Sequence, residues 1–502
     1  MQIFSAEQIR NWDEFTIQHE PISSIDLMER AAGKCFEWLQ DNGYPNKSFS
    51  IFCGKGNNGG DGLALARMLS EEGYSVVVSI LEFGHKGTVD FQINLARLHE
   101  TAVEIRFIQT EANFHSFSKD AVLIDALFGS GLNRPLEGVT ANLVDYINRS
   151  GNEIISIDIP SGLFTEKSSG GNIVVHATHT LSFQCYKLAF LLPENESSVG
   201  EVHIVDIGLH KDYPAQTESN FILTDKKSIQ SIFKPRKKFA NKGNFGHALL
   251  LAGSYGKIGA AVLASKACLR SGAGLLTCHV PKCGYEIMQT SVPEAMIVAD
   301  DDEKINTNIS EDISKYTVVG IGPGIGTDYK TSSLIESIFK QYKKPIVADA
   351  DALNILATDA KLLSALPPYS ILTPHPKEFE RLFGKSENDF DQVQLALKKA
   401  KQHQCVIVLK GHYTLIATPD DKGYFNSTGN AGMAKGGSGD ALTGIITGFL
   451  AQGYSPLEAA MIGVYVHGLA GDFAATYYSE QSMLASDIID ALGQAFFTIQ
   501  KK

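Results

Sequence analysis

A glycine-rich stretch that runs directly into an apolar segment limits most strongly what this chain can form. The stretch extends from Asn430 to Asp440, and the apolar residues 441–450 are enough for about three helical turns. Gly436, Gly437 and Gly439 leave their backbone N–H groups uncovered by side chains. Because these groups and the helix dipole point at the same place, the junction predicts a binding site for an anion such as a phosphate.

Asp440 stands where the predicted helix begins, and two roles fit it. A carboxylate beside a bound phosphate is well placed to take the proton from an attacking hydroxyl group. Aspartate is also a frequent cap of a helix N-terminus, with no chemical role. Both interpretations stay open on this stretch alone.

Length and charge limit the class of protein. A chain of 502 residues is too long for one ordinary core, so two or three domains are expected. Its net charge of −12 argues against a general nucleic-acid binder or a protein of anionic membrane surfaces. Seven cysteines, an odd number, favour reduced thiols. The N-terminus lacks a signal-peptide pattern and no run reaches the ~18 apolar residues of a membrane span, so we expect a cytoplasmic protein.

The first half has the pattern of a nucleotide-binding βαβ unit. Residues 5–42 are predicted to be helical, and a strand over 49–53 runs into a polar glycine loop over 54–62. A helix over 63–69 and a strand over 74–81 follow. The loop is neither a dinucleotide fingerprint nor a Walker loop. Its asparagines and aspartate suit ribose or amide groups, or a monovalent cation.

Two further strands of the first half end in an acid. They cover residues 121–125 and 154–158 and place Asp125 and Asp158 before glycine-containing loops. Carboxylates at strand ends line the ligand crevice of an open α/β sheet. Either aspartate, taken alone, is equally well explained as a turn former.

The second half begins again as an α/β chain after a polar linker. Buried strands are predicted over 246–253, 316–321, 345–349 and 405–411, and residues 412–418 are expected to form an edge hairpin. An alanine-rich helix over 258–274 must pack closely because its side chains are small. His375, between two prolines, is either a turn histidine or a ligand contact.

The second half resembles the ribokinase-like superfamily, and within it the nucleotide-dependent NAD(P)H-hydrate dehydratases. The stretches that carry the resemblance are residues 246–254, 322–326, 349–351, 373–378 and 436–440. The first half resembles the NAD(P)H-hydrate epimerase domain through residues 56–62, 125–131 and 158–162, with Lys187 further on. It departs from that family's usual Ala-Asp-x-Thr at residues 177–180, so Thr178 receives no role.

Together the halves resemble the bifunctional NAD(P)H-hydrate repair enzymes. The resemblance implies a Rossmann-like three-layer domain over 1–215, a linker over 216–230 and a ribokinase-like three-layer domain over 231–502. It implies that ADP or ATP, with ADP favoured, phosphorylates the C6 hydroxyl of a hydrated nicotinamide so that it leaves readily. Asp440 is then the general base. The nucleotide is expected on Lys410, Gly411, His412, Tyr413, Thr414, Gly436, Gly437, Ser438 and Gly439, and the hydrate on Ala260, Gly324, His375 and Asp440.

In the first half the resemblance implies exchange of the two C6 epimers, with Asp158 as the acid or base. The oxygens of Asn58, Asp125 and Ser161 suit a weakly held monovalent cation, which the resemblance implies is potassium. The hydrate is expected on Asn57, Asn58, Gly59, Gly60, Asp61, Gly129, Ser130, Gly131, Leu132, Asn133, Arg134, Pro135 and Asp158. Mg²⁺ is a further expected cofactor.

The expected partners are small molecules, namely the hydrates NADHX and NADPHX and an adenine nucleotide, with no nucleic acid and no membrane. We also expect a homo-oligomer. One rival function is a vitamin or sugar kinase that releases its phosphorylated product. A second rival is an N-terminal half that serves only as a nucleotide-binding scaffold.

Overall fold

Strands and helices alternate along most of this chain and form two separate units. The computed structural model describes residues 1–44 and 47–500. The first unit contains residues 2–219 and 388–390, and the second contains residue 1, residues 220–387 and the described residues from 391 onward. No helix in these ranges is long and apolar enough to cross a lipid bilayer.

The first unit is built on a parallel sheet with the order β4-β3-β2-β5-β6-β7-β8. Its elements are β1 (Gln2–Ile3), α1 (Ala6–His19), α2 (Ser24–Asp41), β2 (Ser48–Cys53), α3 (Asn57–Glu71), β3 (Ser75–Leu81), α4 (Val89–Leu98), β4 (Glu104–Ile108), β5 (Val122–Ala126), α5 (Gly138–Asn148), β6 (Ile154–Ile157), β7 (His179–Phe183), α6 (Glu196–Val199), β8 (Glu201–Val205) and α7 (Tyr213–Gln216).

Apolar side chains cover both faces of this sheet, as expected for buried parallel strands. Ile51 and Ile124 pack in one cluster with residues of α1 to α4. Phe52 and Leu123, their neighbours in sequence, pack on the other face with α5. Successive side chains of a strand point to opposite faces, so nearly every position of the central strands β2 and β5 is buried in a core.

Residues 5–42, predicted to be helical, form two helices with a short break between them. The predicted capping box of Ser5 and Gln8 is present at the start of α1. That helix ends at His19, and α2 begins after the N-cap Ser23. Pro21, between them, has no N–H to donate and disfavours a helical residue before it, so the chain turns there.

The polar glycine loop predicted over 54–62 is largely helical in the structure. Helix α3 begins at Asn57 rather than at Leu63. A Cβ atom at Gly59 would collide with the carbonyl oxygen of Gly54, so the glycine lets the first turn of the helix lie against the end of β2. The helix N-terminus therefore begins six residues closer to the strand than the pattern indicates.

The second unit contains a larger sheet, with the order β9-β18-β17-β16-β15-β14-β13-β10-β11-β12. All its pairs are parallel except β16 with β17 and β17 with β18. The strands are β9 (Phe221–Thr224), β10 (His247–Leu251), β11 (Leu275–Val280), β12 (Met296–Ala299), β13 (Val318–Ile321), β14 (Ile346–Ala348), β15 (Ile371–Leu372), β16 (Val406–Leu409), β17 (Leu415–Ala417) and β18 (Gly423–Asn426). The helices are α8 (Lys226–Ile232), α9 (Ile258–Arg270), α10 (Tyr285–Ser291), α11 (Tyr329–Gln341), α12 (Ala350–Thr358), α13 (Ala360–Ser364), α14 (Pro376–Phe383), α15 (Asp389–His403), α16 (Ser438–Ala451), α17 (Pro456–Ser482) and α18 (Ala485–Ile499).

The close packing predicted for the alanine-rich helix is confirmed. A Cβ at Gly444 of α16 would collide with the backbone of Ala264 in α9, so the two helices touch through their main chains. Together with α17 and α18 they bury one face of the sheet.

Two expectations near the start of this unit differ from the structure. Residues 216–230, expected to be a linker, contain β9 and the first part of α8. Strand β9 pairs in parallel with β18, so the hairpin that includes residues 412–418 does not lie at the edge of the sheet. The physical reason is that Phe221 to Thr224 continue the hydrogen-bonding ladder, which the polar residues around them concealed.

Candidate active sites

The first candidate site is a cavity of about 1090 Å³ at the carboxyl ends of β2, β5 and β6. Strand β2 lies between β3 and β5 in the sheet, so the chain runs in opposite directions along the sheet from this point. Such a switch point is where open α/β sheets bind ligands. Of the residues expected to bind the hydrate, the cavity is lined by Asn57, Asn58, Asp61, Gly129, Ser130, Gly131, Leu132, Asn133, Arg134, Pro135 and Asp158. Gly59 and Gly60 lie behind them in the first turns of α3.

Asp125, near the carboxyl end of β5, is buried and accepts four hydrogen bonds. Its carboxylate accepts from the backbone and hydroxyl of Ser161 at 2.8 and 2.6 Å, from the Ser156 hydroxyl at 2.8 Å and from the Leu127 backbone at 3.2 Å. Burial still raises its pKa, against these bonds. The bond from Leu127, two residues further on, fits the turn-former interpretation, and the bonds from Ser156 and Ser161 additionally tie β5 to β6 and to the loop after it.

Asp158 forms an ion pair with a lysine that is completely buried. The Lys187 ammonium lies 2.7 Å from one carboxylate oxygen, and the Ser130 backbone donates to the other at 3.1 Å. Lys187 also donates to the Ser182 hydroxyl at 2.7 Å. Asp158 has φ of 67°, a conformation that non-glycine residues rarely adopt and that is often found at functional sites. The pair fixes this carboxylate at the mouth of the cavity.

Asp13 in α1 is a cavity residue that the sequence pattern did not indicate. Burial, followed by the nearby charge of Asp158, raises its pKa to about 7. Burial and the same charge raise the pKa of Asp61. A carboxylic acid with a pKa near neutrality exchanges protons readily under physiological conditions. No periodicity within α1 distinguishes Asp13 from an ordinary surface acid, so only the fold reveals it.

Asn58 is the polar side chain of this site that is left without partners. Its amide nitrogen and carbonyl oxygen are both buried, and neither has a hydrogen bond within the described ranges. Its side chain lies beside Gly129 and the Asp158 carboxylate, since a Cβ at Gly129 would stand within 3.5 Å of both. A buried amide without partners costs free energy, so it indicates a ligand that would satisfy it.

The second candidate site surrounds the start of α16. Gly437 is the N-cap with φ of 92°, a left-handed conformation that favours glycine, and Asp440 is the third helical residue. The cap interpretation of Asp440 is therefore wrong, and its carboxylate accepts no hydrogen bond from any described residue. Burial, followed by the charge of Asp349, raises the pKa of Asp440 to about 6 against the opposing charge of Lys410.

Lys410 connects this helix to two other segments of the unit. Its ammonium lies 2.9 Å from the carboxylate of the buried Asp349 and 3.8 Å from that of Glu378. The Thr443 hydroxyl donates to the other oxygen of Asp349 at 2.7 Å. A Cβ at Gly439 would stand 3.4 Å from the lysine nitrogen, so the absent side chain leaves that ammonium open toward the N–H groups of the glycine stretch.

A buried histidine, which the sequence pattern did not indicate, packs against the glycine stretch. His467 in α17 is buried, and its Nε2 lies 3.4 Å from the hydroxyl of Ser438. Burial, followed by the charge of Lys410, lowers its pKa to about 4, so the ring is neutral near pH 7. The Lys435 side chain is turned away from the N–H groups of the stretch, because its ammonium donates to the carbonyls of Gln481 and Met483.

The residues expected to bind the hydrate come from the first turns of α9 and α16, the N-cap of α14 and the loop after β13. A Cβ at Gly324 would lie 3.0 Å from that of Ala260 at the start of α9, so these two residues are in contact. The Asp351 carboxylate accepts from the Gly326 backbone at 2.9 Å and lies 3.2 Å from the Lys257 ammonium.

His375 is the N-cap of α14 and shares a capping box with Glu378. Its Nδ1 accepts the backbone N–H of Lys377 at 3.1 Å, which places the ring proton on Nε2. The ring is half-exposed, and its Nε2 lies 3.5 Å from the Glu378 carboxylate, so a ligand would meet this nitrogen beside that acid.

The expected nucleotide loop follows β16. The Thr414 hydroxyl donates to the carbonyl of Gly411 at 2.9 Å and closes the turn that begins at Lys410. The rings of His412 and Tyr413 meet edge to face, with centroids 4.6 Å apart. The turn thus presents two aromatic side chains beside the lysine that faces Asp349.

Comparisons with known proteins found matches to both units. The family model described as NAD(P)H-hydrate dehydratase matches residues 248–494, and the one described as YjeF-related protein N-terminus matches residues 24–189. A bifunctional NAD(P)H-hydrate repair enzyme of Moorella thermoacetica is 35% identical, over 98% of this chain and 96% of its own. One of Escherichia coli is 30% identical, over 98% of this chain and 93% of its own.

Among solved structures, a ribokinase-like superfamily protein of Enterococcus faecalis is similar to the second unit. It is 28% identical, with a TM-score of 0.51, and the match covers 57% of this chain and 99% of that one. The fold class expected from the sequence, a Rossmann-like half followed by a ribokinase-like half, is confirmed. Since the curated relatives match along almost their entire length and both site-bearing units fall within the match, this chain belongs to the family of bifunctional NAD(P)H-hydrate repair enzymes.

Proposed function

We propose that the two units repair hydrated NADH and NADPH in succession. The first unit interconverts the R and S hydrates at C6, and the second dehydrates the S hydrate with ADP or ATP, of which we favour ADP. The observation that carries this proposal is the 35% identity to a bifunctional repair enzyme over 98% of the chain, which spans both candidate sites. The seven free cysteines fit the reducing cytosol in which we expect the protein to act.

Dehydration needs a better leaving group than hydroxide, and phosphorylation provides one. In the proposed step Asp440 takes the proton of the C6 hydroxyl while that oxygen forms a bond to the terminal phosphorus of the nucleotide. The bond from that phosphorus to the bridging oxygen breaks, and the shortened nucleotide leaves. The C6–O bond then breaks with departure of phosphate, and loss of a C5 proton restores the double bond.

The contacts around α16 support this arrangement. N–H groups of Gly436, Gly437 and Gly439 would face the transferring phosphoryl group, with Lys410 beside Gly439. The Ser438 N–H donates to the Lys435 carbonyl at 3.4 Å and would have to leave it to join them. The adenosine part would lie on the turn from Lys410 to Thr414. Ala260, Gly324 and His375 would hold the hydrate on the other side of Asp440.

The carboxylates at this site outnumber the lysines. Lys257 and Lys410 face Asp349, Asp351, Glu378 and the raised-pKa Asp440. A divalent cation bound with the nucleotide would balance the excess negative charge, so the donor set fits Mg²⁺ carried on phosphate oxygens. When bound, this ion neutralises charge that develops on the phosphoryl oxygens.

Repair and simple phosphorylation give different products. We expect the protein, supplied with the S hydrate of NADH, nucleotide and Mg²⁺, to restore the absorbance of the reduced nicotinamide and release phosphate. The R hydrate should recover only as fast as the first unit converts it. A stable phosphorylated product without recovered absorbance would indicate the kinase alternative.

The dehydration rate should depend on pH through Asp440. Its pKa of about 6 means that the carboxylate is mostly ionised at neutral pH and loses its ability to accept a proton below about pH 6. We expect kcat/KM to fall about tenfold for each pH unit below that value and to level off above it. Initial rates on the S hydrate would measure this, and a flat profile down to about pH 5 would contradict the role.

Epimer exchange needs acid and base groups around the same carbon. The C6 hydroxyl is attached beside a ring nitrogen, so protonating it lets water leave as the nitrogen lone pair forms a C=N⁺ bond. Water then returns to the opposite face and loses a proton. We propose Asp158 as the group that handles these protons, with Asp13 as a second carboxyl whose pKa of about 7 suits proton donation.

The first site also fits a monovalent cation. Asn58 offers a buried carbonyl oxygen without a partner in the described residues, and Asp125 is a carboxyl whose pKa is raised by burial. Potassium would satisfy the first and stabilise the second, with Ser161 beside it. Its chemical contribution, when bound, is to hold these oxygens and the substrate's polar groups in place.

Removing potassium should therefore slow epimer exchange without affecting dehydration. We expect replacement of K⁺ by choline to lower the exchange rate at least about tenfold, and Asn58→Ala to abolish the dependence on K⁺. The rate of interconversion of separated R and S hydrates measures this. Asn57→Ala is the matched control, since it changes the neighbouring asparagine and should keep the dependence. Equal rates in both salts would show that the site does not need the ion.

A further inference from the structure

Three metal-ligating side chains meet at the amino ends of β7 and β8, outside the cavity of the first unit. They are His179, Glu201 and His203, whose ligand atoms all lie within 4.8 Å of one another. His179 and Glu201 are paired across the two strands. Their alternation on β8 places Glu201 and His203 on the same face of the sheet, so the strand register itself brings the three groups together.

The geometry of these atoms is close to that of a transition-metal site. Nδ1 of His179 lies 3.0 Å from Nε2 of His203, and the Glu201 carboxylate lies 3.8 and 3.9 Å from these two nitrogens. Tetrahedral zinc with bonds of about 2.0–2.1 Å sets its ligand atoms roughly 3.3 Å apart. The histidine nitrogens therefore stand near the required separation, and the exposed glutamate needs to move by less than 1 Å, on the order of a side-chain adjustment.

The surroundings of His179 supply what a metal-binding histidine usually has. Its other ring nitrogen, Nε2, lies 3.7 Å from the carboxylate of Glu153, and Glu153 accepts a hydrogen bond from the Tyr44 hydroxyl. Such a carboxylate orients the imidazole and leaves the opposite nitrogen free for the metal. Trp38 packs against both imidazoles, with ring centroids 5.4 and 4.8 Å from His179 and His203, and holds them side by side.

The position of the cluster separates it from the epimerase chemistry. The cavity with Asp158 lies at the carboxyl ends of the parallel strands, whereas His179 and Glu201 are the first residues of β7 and β8. Strand β8 is the last strand at its edge of the sheet within the described residues. An ion at this place would join the outermost pair of strands to each other and could not reach the substrate.

We propose that His179, Glu201 and His203 form a binding site for a divalent transition-metal ion of the zinc class. Two imidazoles and a carboxylate leave a fourth tetrahedral position for water, which the exposure of Glu201 makes accessible. The site stabilises the edge of the first unit and takes no part in catalysis. The alternative is that the two histidines merely share one proton in a hydrogen bond.

Metal titration of the full-length protein, freed of metal with a chelator, separates these possibilities. We expect calorimetry to show one Zn²⁺ bound per chain and the midpoint of thermal unfolding to rise by several degrees at saturating Zn²⁺. Co²⁺ should give the visible absorption of a tetrahedral site and quench the fluorescence of Trp38. His203→Ala and Glu201→Gln should each weaken Zn²⁺ binding at least about tenfold, as should Glu153→Gln.

His176→Ala is the matched control, because it removes an exposed histidine of the same unit that is not in the cluster. It should bind Zn²⁺ as the unaltered protein does. His203→Ala also removes a ring that packs on Trp38, so the exposed Glu201→Gln variant tests binding with little change to the fold. The proposal would be overturned if the unaltered protein did not bind Zn²⁺. It would also be overturned if His203→Ala and Glu201→Gln bound Zn²⁺ as tightly as the unaltered protein does. Epimer exchange should not respond to Zn²⁺ removal, so failure here is distinct from failure of the repair function.

Discussion

Replacing Asp440 by asparagine is expected to slow dehydration of the S hydrate by roughly a hundredfold to ten-thousandfold, the usual contribution of a general base. Asparagine has the same shape but cannot accept the hydroxyl proton. Nucleotide binding should persist, because the proposed phosphate contacts come from backbone N–H groups of residues 436–439 and from Lys410. Rates with saturating ADP or ATP, together with nucleotide affinity measured by calorimetry, would test both statements.

The same substitution should make the second unit more stable at neutral pH. The folded protein raises the pKa of Asp440 from 3.8 to about 6, so ionisation opposes folding above that range. Removing the charge should stabilise by about 1–3 kcal/mol above pH 6, and the gain should disappear as the pH falls below about 4. Asp490→Asn, at an exposed position of α18, is the control and should change neither activity nor stability. A variant that keeps its activity would remove Asp440 from the mechanism.

Replacing Asp158 by asparagine is expected to slow epimer exchange by a similar hundredfold or more. It also leaves Lys187, which is fully buried, without its counter-charge. Removing one partner of a buried ion pair typically costs about 3–5 kcal/mol. The free energy of unfolding must therefore be measured together with activity. Dehydration of the S hydrate should be unchanged, because Asp440 belongs to the other unit.

A double variant separates the chemical role of Asp158 from its structural role. Asp158→Asn combined with Lys187→Met replaces the buried pair by neutral groups, which should recover much of the lost stability. Exchange should nevertheless remain slow if the carboxylate handles protons. Recovery of exchange together with stability would show that Asp158 serves only to balance Lys187, and Asp13 would then be the remaining carboxyl with a pKa near neutrality.

Local sequence signals anticipated the parts of both sites that one short segment can define. A glycine stretch before an apolar helix predicted the N-terminus of α16, and of the two acids predicted at strand ends, Asp158 after β6 lines the first cavity. These predictions succeed because backbone N–H groups and strand ends are properties of the segment itself. Strand β9 forms only because it pairs with β18, which is distant in sequence. The same local reasoning therefore predicted a linker at this segment.

By itself the sequence determined the family, the order of the two folds and the position of Asp440 at the start of a helix that follows a glycine stretch. Only the tertiary structure brought Lys410 to Asp349, Lys187 to Asp158 and Asp13 to the first cavity. Only it set the pKa values near 6 and 7 that make Asp440 and Asp13 suited to proton transfer. The reason is that a pKa depends on burial and on neighbouring charges, and both arise when distant segments pack together.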